Sequence, residues 1–144
     1  MVRTAFRNGR RGYIHQDNQY LNDGNTLSFG QDTATIFYQP EPYFTGDKLK
    51  ILTAKITEFN RLNALFFTTT LMKSFHSFQW GSDSFSMEII RNQEIKLPVN
   101  DDHEIDTKLM DILIVAVQKI VIKDVVKWTK KKIATTKTLI KNTN

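Results

Sequence analysis

Apolar residues change their spacing at Thr57, and this change limits what the chain can fold into. Before Thr57, short segments rich in β-branched and aromatic residues alternate with turn-forming residues, as β-strands do. After it, apolar residues recur at helical spacing from Leu62 to Phe75, and Thr57 is the predicted N-cap. The sequence therefore predicts an α+β fold with strands first and a packed central helix next.

The strands should form a small, curled and mostly antiparallel sheet, because turn residues separate them closely. Pro40 and Pro42 end the third strand, since proline lacks the donor that a ladder needs. A short helical turn is expected at 87–92. The predicted strands are 12–15, 25–29, 33–39, 48–54 and 94–99.

The end of the chain predicts a long helix that begins at Asp106 or Thr107. Its apolar residues form one stripe from Leu109 to Ile120 and a second, rotated stripe from Ile122 to Ile140. Such a shift indicates either a stutter in one long helix or a break between two helices. We expect a recognition unit at 1–100 and a spacer or docking helix at 101–144.

The charge pattern is consistent with a polyanionic partner. The net charge is +5. The positive residues are concentrated in two places: the cluster of Arg3, Arg7, Arg10 and Arg11, and the last 26 residues, which contain eight lysines and only one acidic residue, Asp124. The chain has no cysteine, no signal-peptide pattern and no apolar run long enough to span a membrane. We therefore expect a cytoplasmic protein with no membrane partner.

Three turns carry side chains that suit the reading of DNA. Arginines pair with guanine edges or clamp phosphates, while glutamine and aspartate pair with adenine and cytosine edges. The ordinary alternatives are a solvated hairpin for the first turn and a simple tight turn for the second. The candidate contacts are Arg7, Asn8, Arg10 and Arg11 on the first turn, Gln31 and Asp32 on the second, and Ser82, Asp83 and Ser84 on the third.

Motifs for catalysis or metal binding are missing from the sequence. It has no glycine-rich phosphate loop and no nucleophile elbow, and its three histidines lack ligand-like spacing. Glu94-Ile95-Lys96 matches the end of a nuclease motif, but no aspartate precedes it on a neighbouring predicted strand, so we interpret it as a coincidence. We expect no enzyme activity and no cofactor or metal in this chain.

An ordered series of short segments resembles a known family. The series runs from Asn8-Gly9 and Gly12-Tyr13-Ile14 through the stretch at 35–44, which reads TIFYQPEPYF, to Phe78-Gln79-Trp80-Gly81 and Ile95-Lys96-Leu97-Pro98-Val99. It resembles the second half of target-recognition domains in specificity subunits of type I, and related bifunctional type II, restriction-modification systems. The resemblance spans about Arg7 to Lys132.

The resemblance implies sequence-specific recognition of double-stranded DNA by a non-catalytic specificity subunit or a fragment of one. Methylation and cleavage then belong to partner methyltransferase and restriction subunits, which use S-adenosylmethionine, Mg²⁺ and, in type I systems, ATP. A second specificity half-subunit is a further expected partner.

The chain also resembles only part of such a domain, so we expect it to begin inside one. The alternative function is therefore a truncated interaction module, which pairs with other subunits through its C-terminal helix and does not bind DNA alone.

Overall fold

A small three-stranded sheet organises the domain. The computed structural model of the chain describes residues 1–31, 33–77 and 86–142. The antiparallel strands are β1 (Thr26–Gly30), β2 (Thr35–Gln39) and β3 (Leu49–Leu52), in the spatial order β2-β1-β3. These strands confirm the predictions at 25–29, 33–39 and 48–54 and the antiparallel sheet.

The central strand β1 is buried along its whole length. Leu27 and Phe29 point to one face of the sheet, where helix α1 (Arg61–Ser74) packs through Ala64. The ring of Phe29 stacks on Phe75, which follows α1, with 4.8 Å between the ring centroids. This face holds the apolar core and confirms the predicted central helix.

Helix α1 begins later than predicted, because Asn60 rather than Thr57 caps it. The Asn60 side chain accepts hydrogen bonds from the backbone of Leu62 and Asn63, and Asn63 Oδ1 accepts one from Asn60 N at 2.8 Å. This reciprocal pair satisfies several donors of the first turn at once. A hydroxyl at Thr57 could accept fewer of these hydrogen bonds. The predicted cap at Thr57 was therefore wrong.

Two predicted strands are wrong because neither gains a hydrogen-bonded neighbour in the sheet. Residues 12–15 are exposed and irregular. Residues 94–99 are irregular too, apart from an isolated bridge between Val99 and Ile105. The short helix α2 (Met87–Arg91) confirms the helical turn predicted at 87–92.

The last element is one continuous helix, α3 (Thr107–Asn142), so the shift between its apolar stripes is not a break. Asp106 Oδ1 accepts from Leu109 N at 2.8 Å and caps the helix as predicted. The first turns of α3 dock on the domain: Met110 is fully buried, and Thr107 Oγ1 donates to Glu58 Oε2 at 2.7 Å. Every residue from 116 to 136 is exposed.

The Phe29–Phe75 stack should supply much of the stability of the core. We expect Phe29→Ala to lower the free energy of unfolding by about 3–5 kcal/mol, because it removes buried area and leaves a cavity. The measurement is urea denaturation followed by circular dichroism. Ile112→Ala is the matched control, since Ile112 is 64% exposed on α3. Equal losses in the two variants would contradict this view of the core.

Candidate nucleic-acid interface

The second face of the sheet is covered by the N-terminal arm, which we define as residues 1–11. Phe37 and Gln39 of β2 point to this face, away from the apolar core. Gly9 is buried against Phe37, and a Cβ atom at Gly9 would lie 3.2 Å from the Phe37 ring. Gly46 N donates to Met1 O at 2.8 Å and ties the start of the arm to the loop before β3.

A chain of polar contacts fastens the arm to the sheet. Gln39 Nε2 donates to Ser28 Oγ at 3.0 Å and to Asn8 O at 3.3 Å. Asn8 Nδ2 in turn donates to Tyr38 O at 3.1 Å. Gln39 and Ser28 are both buried. Breaking a hydrogen bond between buried polar groups leaves them unsatisfied, which costs free energy, so these bonds should persist in the folded state.

The predicted first turn is present, and its backbone is left-handed. Arg7, Asn8 and Gly9 have φ values of 52°, 55° and 73°. Glycine adopts this region without steric penalty, which explains Gly9 at a site that also has no room for a side chain. The turn reverses the chain and leaves the side chains of Arg7 and Arg10 exposed.

The arm and the loop before β3 enclose a shallow groove of about 590 Å³. Four arginines line it, together with Asp47 as the single carboxylate: Arg3, Arg7, Arg10 and Arg11. The structure thus brings three of the predicted contacts into one groove and adds Arg3. Such a concentration of guanidinium groups attracts phosphate and offers bidentate donors.

The second predicted turn lies at the same end of the sheet. Thr33 N donates to Gly30 O at 3.1 Å, which closes the turn between β1 and β2. Gln31 N donates to Lys48 O at 3.1 Å, and Arg3 Cγ would lie 3.7 Å from a Cβ atom on Gly30. Gln31 is therefore adjacent to the arginine groove.

Some predicted contacts differ from this grouping. Asp32, Ser82, Asp83 and Ser84 lie outside the described residues. Asn8 is exposed, but its amide donates to the edge of β2, so it holds the turn in place. Sequence reasoning missed Arg3 and Lys48 as members of the site. Arg3 belonged to a visible basic cluster, whereas the placement of Lys48 beside Gln31 depends on the pairing of β1 with β3.

The exposed aromatic ring of Tyr13 extends the basic surface. Tyr13 is 90% exposed, and its ring centroid lies 6.0 Å from Arg10 Cζ. Arg10 Nη1 also donates to Tyr13 Oη at 3.4 Å. An aromatic ring next to a guanidinium group can stack on a base, so this pair suits contact with nucleic acid.

A second groove, at the start of α3, has a different charge character. It measures about 780 Å³ and lies at the start of α3, where Glu58, Glu104 and Asp106 are among its lining residues. Lys55 and Lys108 line it as well, so its charge is mixed. Phosphate is therefore attracted more strongly to the arginine groove.

Glu94 and Lys96 do not lie on the strand that was predicted for them. Both are exposed in an irregular segment rather than on a strand. Across residues 1–31, 33–77 and 86–142, no group of three or more histidines or carboxylates is arranged to hold a metal ion.

Comparison with known proteins decides the family. The family model described as the type I restriction modification DNA specificity domain matches residues 1–127. The chain belongs to this family. The specificity domain recognises DNA sequence within restriction-modification systems and is not catalytic in the family. No curated protein and no solved structure matches the chain.

In the part that the structure describes, no helix combines the length and apolarity that crossing a membrane requires.

The specificity domain should lose the anchoring of its arm when Gln39 is replaced. We expect Gln39→Leu to lower the free energy of unfolding by about 1–3 kcal/mol, because Ser28 Oγ and Asn8 O lose a buried donor. Amide hydrogen exchange should also speed up across the arm. Gln19→Leu changes an exposed glutamine and serves as the control. Unchanged exchange in the arm of Gln39→Leu would contradict the anchoring role.

Tyr43 should make this face of the sheet sensitive to high pH. Burial raises the pKa of Tyr43, and the hydrogen bond with Thr26 partly opposes the rise. Because the folded state favours the neutral phenol, its contribution to stability is complete below the ordinary pKa of 10.0 and is lost as pH rises through the higher folded value. The midpoint temperature of thermal unfolding should fall more steeply with rising pH for the wild type than for Tyr43→Phe. Parallel curves would contradict the prediction.

Proposed function

We propose that this specificity domain reads double-stranded DNA through the arginine groove and the neighbouring turn at Gln31. The observation that carries the proposal is the convergence of Arg3, Arg7, Arg10 and Arg11 on one groove. The groove lies beside a sheet whose central strand is buried, and a well-packed scaffold is what a reading loop requires.

The groove residues divide into two roles by their chemistry. Arg3 lies against the turn at Gly30 and suits a phosphate contact that sets the position of the duplex. Arg7 lies on the exposed left-handed turn, Arg10 follows the turn directly, and both suit bidentate contact with guanine edges. Gln31, on the turn that follows Gly30, suits an adenine edge.

The remaining sequence-predicted contacts complete the reading surface in this proposal. Asp32 follows Gln31 in the sequence and suits a cytosine amino group. Ser82, Asp83 and Ser84 form the third predicted contact, where small polar side chains suit hydrogen bonds to bases or phosphates.

Catalysis belongs to other chains in this proposal. Partner methyltransferase and restriction subunits carry S-adenosylmethionine, Mg²⁺ and ATP, and the specificity domain brings them to its target in the cytoplasm. Support comes from the membership of the family and from the absence of catalytic motifs in the sequence.

A salt series tests the role of the arginines. A duplex enriched from a randomised pool would be titrated with the wild type and with Arg7→Gln, Arg10→Gln and Arg11→Gln by fluorescence anisotropy. A variant that no longer neutralises one phosphate should show a slope of log K against log salt that is shallower by about 0.9. A variant that no longer reads one base should instead bind the target more weakly by about 1–3 kcal/mol, and it should lose its preference for the base at one position of the target only.

Lys73→Gln is the matched control, because Lys73 is exposed at the end of α1, on the other face of the sheet from the arm. It should leave both the affinity and the slope unchanged. Equal losses in Lys73→Gln and the arginine variants would mean that binding follows net charge alone. Absence of binding to any duplex at low salt would overturn the proposal.

A further inference from the structure

An exposed aromatic ring lies among the arginines of the groove. Phe6 lines the groove together with the four arginines, and its side chain is 78% exposed. A phenyl ring carries no hydrogen-bonding group, so it is stabilised when an apolar surface replaces the water around it. A single exposed apolar residue is ordinary on a protein surface, but this one stands among charges that attract phosphate. Its place in the groove therefore suggests a contact with the same ligand.

The backbone of Phe6 is held at both of its polar groups. Phe6 N donates to Thr4 Oγ1 at 3.3 Å, and Phe6 O accepts from Gly9 N at 3.0 Å. Phe6 is thus the residue at which the left-handed turn begins, and Gly9 at the other end of the turn is buried against Phe37. An aromatic ring on a fixed backbone loses little conformational entropy when a ligand covers it, so such a ring is well suited to binding.

A DNA duplex offers three kinds of apolar surface to this ring. The base faces are stacked inside the duplex, and contact with them requires a base step to open, which costs free energy. The deoxyribose groups belong to the backbone and are the same at every position of the sequence. The C5-methyl group of thymine projects into the major groove, where a phenylalanine ring can cover it.

The neighbours of Phe6 favour the thymine methyl group among these three. Arg7 follows Phe6 in the chain and also lines the groove, and its guanidinium group suits the major-groove edge of guanine. Adjacent Cα atoms are about 3.8 Å apart, and adjacent base pairs are about 3.4 Å apart along the duplex. Side chains of adjacent residues can therefore reach adjoining base pairs in the same groove.

We propose that Phe6 reads a thymine through its C5-methyl group, beside the guanine that Arg7 or Arg10 contacts. The inference rests on the proposed function, because it requires the arginine groove to face the major groove of DNA. Cytosine has no methyl group at the same carbon and adenine presents an amino group in the major groove, so the contact selects thymine. The ring thus adds a selectivity that guanidinium groups, which recognise acceptors, do not supply.

Deoxyuridine tests the contact directly, because it differs from thymidine only in the missing methyl group and keeps the base pair. Each thymine of a duplex enriched from a randomised pool would be replaced in turn and titrated with the full chain by fluorescence anisotropy. We expect binding to weaken about fourfold at one thymine position, since that factor corresponds to the burial of one methyl group. Unchanged affinity at every position, or an enriched target without thymine, would overturn the proposal.

Phe6→Ala should remove the dependence on the methyl group. At the sensitive position, this variant should bind the thymine and deoxyuridine duplexes equally, because the partner of the methyl group is gone. Phe6→Leu keeps an apolar side chain and should keep part of the difference. Circular dichroism and urea denaturation should show that both variants fold as the wild type does, since the ring is exposed. A full fourfold loss on deoxyuridine in Phe6→Ala would overturn the proposal.

Tyr20→Ala is the matched control. Tyr20 is also an exposed aromatic residue, at 62%, but it is not among the residues that line the arginine groove. This variant should keep the fourfold loss on deoxyuridine. Loss of the dependence in Tyr20→Ala as well as in Phe6→Ala would show that the position of the ring in the groove does not matter, and it would overturn the proposal.

The arginine variants separate a failure of this proposal from a failure of the proposed function. If Arg7→Gln and Arg10→Gln bind duplex as the wild type does, the groove does not contact DNA and both proposals fail. If they bind more weakly but deoxyuridine has no effect at any position, only the role of Phe6 fails. A wedge between stacked bases gives a further result: 2-aminopurine in the target brightens on binding the wild type and not Phe6→Ala, while deoxyuridine binds as thymidine does. That result would overturn the methyl contact.

Discussion

The burial of β1 is the constraint on which the rest of the structure depends. One face of this strand presents Leu27 and Phe29 to α1 and Phe75, and its other face presents Ser28 to Gln39. An apolar layer and a polar layer therefore meet at one strand. The apolar layer supplies stability through buried area, and the polar layer fixes the arm in one position because its buried donors and acceptors have few alternative partners.

This arrangement separates two surfaces that both carry positive charge. The arginine groove rests on the polar layer, close to the sheet, and its arginines belong to the arm on both sides of the tight turn at Asn8. The lysines of α3 from Lys119 to Lys132 lie on the part of the helix that is exposed beyond Ile114 and Val115. Arginine is suited to bidentate contact and lysine to diffuse attraction, so the two surfaces are suited to different partners.

Much of the fold could be predicted from residue spacing, because the core strands and α1 bury regular apolar patterns. The cap at Asn60 could not be predicted, because it depends on a reciprocal hydrogen bond with Asn63. Thr57 followed by Glu58 matches an ordinary helix start, so the sequence favoured the earlier position. The strand at 94–99 failed for a related reason: alternation shows which residues suit a strand, but not whether a neighbouring strand exists. The sequence shows the cluster of arginines, but it does not show that they line one groove. That arrangement depends on Gln39, which joins Asn8 and Ser28, residues that are far apart in the chain.

The central claim is that DNA contacts the end of the sheet where the arm, the turn at Gly30 and the loop before β3 meet. Heteronuclear NMR of the 16.7 kDa chain, titrated with an enriched duplex, tests it most directly. We predict that amide resonances of residues 3–11, 30–31 and 46–48 shift on binding, while those of α1 do not. Shifts confined to the lysines of α3, with the arm unperturbed, would contradict the claim.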